Sequence, residues 1–149
     1  MKTFRYDPAM VQPMRDELTQ IGFEELLTPE AVDEVLSAAD GTVLVVVNSV
    51  CGCGAGSARP GVRLALEHGT RPDRLTTVFA GMEIDAVERA RSYFLGYQPS
   101  SPQIGLFKDG RLVHMLERHD IEGRAPEAIA ADLEAAFDKS CAPARSGRS

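Results

Sequence analysis

Residues 42–56 read TVLVVVNSVCGCGAG. Thr42 to Asn48 is a run of mostly β-branched residues with no polar alternation, the pattern of a strand buried on both faces. The turn Cys51 to Gly56 follows directly, rich in glycine, and a helix is expected from there to about His68. Pro60 falls early in that helix, so it either kinks it or lies in its first turn. A buried strand that ends in a cysteine-bearing turn and runs into a helix is the core unit of an open α/β sheet, where reactive groups gather beyond the carboxyl ends of the strands.

Working outward, Leu75 to Ala80 reads as a second strand and Asp85 to Leu95 as a helix. Pro99-Ser100-Ser101-Pro102 breaks the chain. Gln103 to Phe107 and Arg111 to Leu116 then form a hairpin signature around Asp109-Gly110. Glu117 to Arg124 reads as a charged loop, and a last helix carries Ile129, Leu133, Ala136 and Phe137. Upstream, residues 1–9 read as an extended lead-in. A helix follows with Met10, Met14, Leu18 and Ile21 on one face and Gly22 at its end. A second starts at Thr28-Pro29-Glu30 and carries Val32, Val35 and Leu36. The expected order is α-α-β-α-β-α-β-β-α: a single α/β domain over 1–141, with a central mixed sheet flanked by helices, extra N-terminal helices and a disordered tail over 142–149.

The chain has 149 residues and a formal net charge of −6, which offers no general basic footprint for nucleic acid. It has no tryptophan and no apolar stretch of the roughly 20 residues that cross a bilayer. Arg5, Asp7, Arg15, Asp16 and Glu17 leave no room for a signal-peptide core. The expected location is therefore the cytoplasm, where thiols are kept reduced. Three cysteines, two of them one residue apart, fit catalysis, redox sensing or metal binding better than a structural disulfide framework.

Cys51 and Cys53 sit where backbone N–H groups at a helix start favour a thiolate. Gly52, Gly54 and Gly56 let a partner approach the sulfur closely. A Cys-X-Cys disulfide closes a small, strained ring, which favours accepting disulfides or resolving mixed ones over strong general reduction. Ser101-Pro102, just ahead of the hairpin strand, is a candidate cis bond beside the thiols and a docking edge for a substrate chain. Cys141 reads either as a third redox thiol that reaches the pair or as a tail residue without a role. Cys51, Cys53, Cys141 and a histidine make a four-ligand zinc set on paper, but the spacing lacks the usual local pairs, so no metal site is assigned. His68, His114 and His119 read as surface or structural residues, and Glu83 and Asp85 as helix caps.

The string Val47-Asn48-Ser49-Val50-Cys51-Gly52-Cys53, with Arg59-Pro60 after it, resembles the bacilliredoxin family. So do Ser100-Ser101-Pro102 with Leu106-Phe107-Lys108-Asp109-Gly110, and Met14-Arg15-Asp16-Glu17-Leu18. The similarity runs from about Tyr6 to Cys141. It implies a thioredoxin-like fold and a thiol–disulfide oxidoreductase that removes bacillithiol from mixed disulfides on proteins, with disulfide isomerase activity as the alternative and a metal or iron–sulfur protein as a lesser one. It further implies Cys51 as attacking thiol, Cys53 as resolving thiol, Pro102 as a cis-proline beside them, and Cys141 as a match to a family C-terminal cysteine. No cofactor is implied beyond bacillithiol as co-substrate. The implied partners are bacillithiolated client proteins, a low-molecular-weight thiol and a disulfide reductase, without nucleic acid or membrane.

Overall fold

In the computed structural model, residues 5–37 and 40–141 are described. Asp7 opens the first helix, α1 (Pro8–Thr19), by accepting the Ala9 N–H at 2.9 Å. The helix thus starts two residues inside the segment expected to be an extended lead-in, because an aspartate before a proline caps a helix as readily as it marks a turn. The expected tail, 142–149, lies outside the described residues.

The remaining elements are β1 (Glu24–Glu25), α2 (Pro29–Leu36), β2 (Thr42–Asn48), a π-helical turn (Gly54–Ala58), α3 (Arg59–Ala65), β3 (Arg74–Phe79), α4 (Ile84–Ser92), β4 (Gln103–Lys108), β5 (Arg111–Leu116), α5 (Arg118–Ile121) and α6 (Pro126–Ser140). Pro60 is the second residue of α3, directly behind the π-helical turn in which the Arg59 N–H reaches back to the Gly54 carbonyl. Three features differ from the sequence reading. β1 is a two-residue strand of glutamates, too short for any alternation to show. The turn after the cysteines is π-helical before it becomes α-helical. The charged stretch expected as a loop contains α5, opened by a reciprocal capping box between Glu117 and Asp120.

The sheet has five strands in the order β1-β3-β2-β4-β5. β2 pairs parallel with β3 and antiparallel with β4, β3 pairs parallel with β1, and β4 and β5 form the antiparallel hairpin. β2 is central and buried along its whole length, as its apolar run predicts. Its side chains alternate between two cores. Val43, Val45 and Val47 pack with Val32, Val35 and Leu36 of α2 and Ala86, Val87 and Ala90 of α4. Leu44 and Val46 pack on the other face with Leu18 of α1, Val62 and Ala65 of α3, and Ile129, Leu133 and Phe137 of α6. The sheet is therefore covered on both sides, which leaves its ends as the places where a reactive group meets solvent. Among the described residues no helix is long and apolar enough to cross a membrane.

Candidate active site

The site is built at the carboxyl end of β2. Asn48 turns its side chain back to accept the Ser49 N–H at 2.9 Å and donates to the Met14 carbonyl of α1 at 3.1 Å. The Ser49 hydroxyl oxygen in turn accepts the Cys51 N–H at 3.2 Å. The carbonyl of Cys51 receives the N–H groups of Gly54 at 3.0 Å and Ala55 at 3.2 Å, which closes the turn that carries both thiols.

Beneath this turn lies Arg59, 3% exposed. Its Nη1 donates to Asn48 Oδ1 at 2.8 Å and to the Ser49 carbonyl at 2.7 Å, and its Nε to Glu17 Oε1 at 2.9 Å. One guanidinium thus ties the end of β2, the start of α3 and α1 together. Gly54 makes room for it: a Cβ there would stand 2.8 Å from the Ser49 carbonyl oxygen and 3.0 Å from Arg59 Nη1.

The Ser101–Pro102 peptide is cis. It brings the Ser101 carbonyl to 4.0 Å from Cys51 Sγ, so that segments fifty residues apart in sequence meet at the sulfur. Two arginines hold this turn from opposite faces of the sheet. Arg91, in the last turn of α4, donates from Nη2 to the Ser100 carbonyl at 2.7 Å. Arg118, the first residue of α5, donates from Nη1 to the Ser101 carbonyl at 3.2 Å and from its backbone N–H to Ser100 Oγ at 3.3 Å.

The two thiols stand in different fields. Burial of Cys51 works against its ionisation, but hydrogen bonds from the Ser49 hydroxyl and the Gly54 and Cys53 N–H groups, with the nearby Arg118 charge, outweigh it and hold the thiol below its ordinary pKa. Cys53 is pushed up, first by burial and then by the neighbouring Cys51 charge, with Arg118 opposing and Glu122 assisting. The arrangement favours a thiolate at Cys51 beside a neutral thiol at Cys53. Both are free and partly accessible.

Cys141 is not brought to the pair. It is buried beside Thr42, Asp73 and Lys108, at the opposite end of β2, and burial raises its pKa. β2 has seven residues, so at about 3.3 Å per residue its two ends lie roughly 20 Å apart. The expectation that Cys141 reaches the pair as a third thiol is corrected by that separation, and the paper zinc set that needed Cys141 is not assembled either. His68 faces Asp138 at 2.8 Å and His114 faces Asp132 at 2.7 Å. Glu83 precedes α4 but makes no capping bond; its Oε2 accepts from Arg15 Nη2 at 2.7 Å. The expected cap is displaced by an ion pair, since Arg15 also holds Glu25 at 2.7 Å and draws the carboxylate away from the helix end.

Sequence reasoning missed Arg118 and Arg91, and it quoted Arg59 only within the resemblance, with no role. Only Arg118 had a local signal, the Glu117-Arg118-His119-Asp120 capping pattern at the start of α5.

A family model described as disulphide isomerase matches residues 6–141. The bacilliredoxin of Koribacter versatilis is 54% identical over 136 residues, covering 91% of this chain and 94% of its own length. The bacilliredoxin of Cytophaga hutchinsonii is 54% identical over 134 residues, covering 90% of this chain and 98% of its own. Among solved structures, the thioredoxin of Fasciola hepatica superposes with a TM-score of 0.54 at 16% identity, covering 79% of this chain and 99% of its own. Mitochondrial thioredoxin 3 of Saccharomyces cerevisiae gives a TM-score of 0.54 at 13% identity, covering 83% and 98%. At such identities the likeness concerns the fold, and the fold is thioredoxin-like.

Proposed function

The chain belongs to the bacilliredoxin family, and on that premise we propose that it is a thiol–disulfide oxidoreductase that clears bacillithiol from mixed disulfides on client proteins. The observation that carries this reading is the asymmetry of the pair: Cys51 gathers the hydrogen-bond donors and the Arg118 charge, while Cys53 is held neutral. A thiolate next to a thiol is the arrangement needed to attack once and then resolve.

In the first step Cys51 Sγ bonds to the bacillithiol sulfur, the mixed S–S bond breaks, and the client leaves as a thiolate that takes up a proton. In the second step Cys53 gives up its proton and attacks Cys51, which releases bacillithiol and forms the Cys51–Cys53 disulfide; free bacillithiol is the alternative attacker. The Ser100-Ser101-Pro102 turn supplies the backbone edge against which the client segment docks. A low-molecular-weight thiol or a disulfide reductase then returns the pair to the dithiol. The reading takes the protein to work in the cytoplasm, with bacillithiol as co-substrate and no resident cofactor.

Intact-mass measurement on a bacillithiolated model client tests this. Cys51→Ser should abolish client release, and Cys53→Ser should accumulate the Cys51–bacillithiol adduct. Full release by Cys51→Ser sinks the mechanism.

The description of the matching family model favours a second reading, disulfide isomerisation by the same cysteines. Refolding of a scrambled-disulfide protein separates the two: isomerisation faster than adduct release would move the assignment to it.

A further inference from the structure

A cavity of about 260 Å³ has Ser49 and Ser101 in its wall, with Arg5, Gly81, Glu88 and Arg91 among its other lining residues. Both serines also touch the chemistry directly: Ser49 Oγ accepts the Cys51 N–H at 3.2 Å, and the Ser101 carbonyl lies 4.0 Å from Cys51 Sγ. Any group bonded to Cys51 through a disulfide therefore has this cavity within reach.

Arg91 is the informative residue. It is half-buried, and its hydrogen bonds go to neutral acceptors, the Ser100 carbonyl at 2.7 Å and Gln103 Oε1 at 3.3 Å. It has no carboxylate partner among the described residues. Its side chain lines the cavity. A guanidinium removed from water without a counter-charge is costly. Holding the Ser100 turn alone would need only a neutral donor. Arg5 adds a second guanidinium at the exposed rim, also without a carboxylate partner among the described residues, against the single carboxylate of Glu88.

We propose that this cavity is an anion subsite that seats the carboxylate-bearing part of a low-molecular-weight thiol while that thiol is disulfide-bonded to Cys51, with Arg91 and Arg5 reading its charge. The proposal rests on the exchange chemistry assigned to Cys51. As Cys51 Sγ bonds to one sulfur of an incoming disulfide, the disulfide breaks and the other sulfur leaves as a thiolate, so electrons balance without an added oxidant. The charge that matters is on the half retained at Cys51.

Three symmetrical disulfides test the subsite: dithiodiglycolate with carboxylates, 2-hydroxyethyl disulfide without charge, and cystamine with ammonium groups. The rate at which each consumes the reduced full-length protein is followed by intact mass and divided by its rate with free 2-mercaptoethanol. The expected normalised preference for dithiodiglycolate over 2-hydroxyethyl disulfide is about tenfold, with cystamine slowest, as for a charge-assisted hydrogen bond. Arg91→Met should cut the preference to about twofold or less, and Arg5→Ala, at an exposed position that cannot disturb the core, should lower it in the same direction. A preference near one in the unaltered protein overturns the proposal, as does one unmoved in both variants. So does a preference lost in Arg118→Met but kept in Arg91→Met, which would put the carboxylate on the other side of Cys51. If no probe reacts at Cys51, the exchange reading itself falls, and the subsite with it.

Discussion

Ser49 serves Cys51 twice, accepting its backbone N–H at 3.2 Å and favouring, through its hydroxyl, the charged form of the sulfur. Arg118 adds charge from the far side while it holds the Ser101 carbonyl at 3.2 Å. These contacts favour the charged form of Cys51 and disfavour that of Cys53, so the two thiols ionise in a fixed order. Because the pKa of Cys51 is lowered, its thiolate appears at a lower pH than that of an ordinary cysteine. The pH midpoint of alkylation of the unaltered protein should therefore lie below that of a free cysteine peptide measured alongside and belong to Cys51. Removing a donor removes part of the preference, so Ser49→Ala and Arg118→Met should each move the midpoint upward. Peptide mapping of the alkylated protein checks which thiol reports. A midpoint that stays put in both variants would show that the turn's backbone N–H groups alone set the value.

At the scale of the elements, the junction between β2 and α3 depends on Arg59 more than on any salt bridge it makes. Its partner Glu17 is 49% exposed, so that ion pair is screened and contributes at most about 1 kcal/mol. The bonds to Asn48 Oδ1 and the Ser49 carbonyl are buried; Asn48 Oδ1 keeps the Ser49 N–H when they are lost, but the Ser49 carbonyl is left stranded at a cost of about 1–3 kcal/mol. Arg59→Met should thus destabilise the protein by about 1–3 kcal/mol in urea unfolding, and Glu17→Gln by less than about 1 kcal/mol. Equal costs for the two would mean that the ion pair, not the clamp on the strand end, is what matters. None of this was legible in the chain. The apolar run of residues 42–48 announced a central strand, and Thr28-Pro29 and Asp109-Gly110 announced a helix start and a hairpin, because each of those signals is local. Arg59 meets Glu17 across 42 residues and Arg118 meets Ser101 across 17, and no local pattern distinguishes such arginines from those on a solvated face. The cysteine turn itself was legible, since a strand's end and glycine spacing mark it. The identity of the charge that tunes it was not.

On the scale of the whole molecule, the three cysteines are divided between the two ends of one strand. Cys51 and Cys53 follow the last residue of β2, while Cys141, held by its N–H to the Phe137 carbonyl at 2.7 Å, packs beside Thr42, the first. A disulfide needs Cα atoms within about 7 Å, whereas the two ends of β2 are separated by roughly 20 Å. No small movement joins Cys141 to the pair, because it closes a core that includes Leu133, Ala136 and Phe137. Mild oxidation of the native protein should therefore consume two thiols and leave one. Burial and a raised pKa should also keep that third thiol slow toward iodoacetamide until denaturant is added. Peptide mapping of the oxidised, alkylated protein should find Cys51 linked to Cys53 and Cys141 labelled only after unfolding. A linkage from Cys141 to either partner within one chain would require α6 to leave the sheet, and finding it under native conditions would overturn the placement of the C-terminal helix.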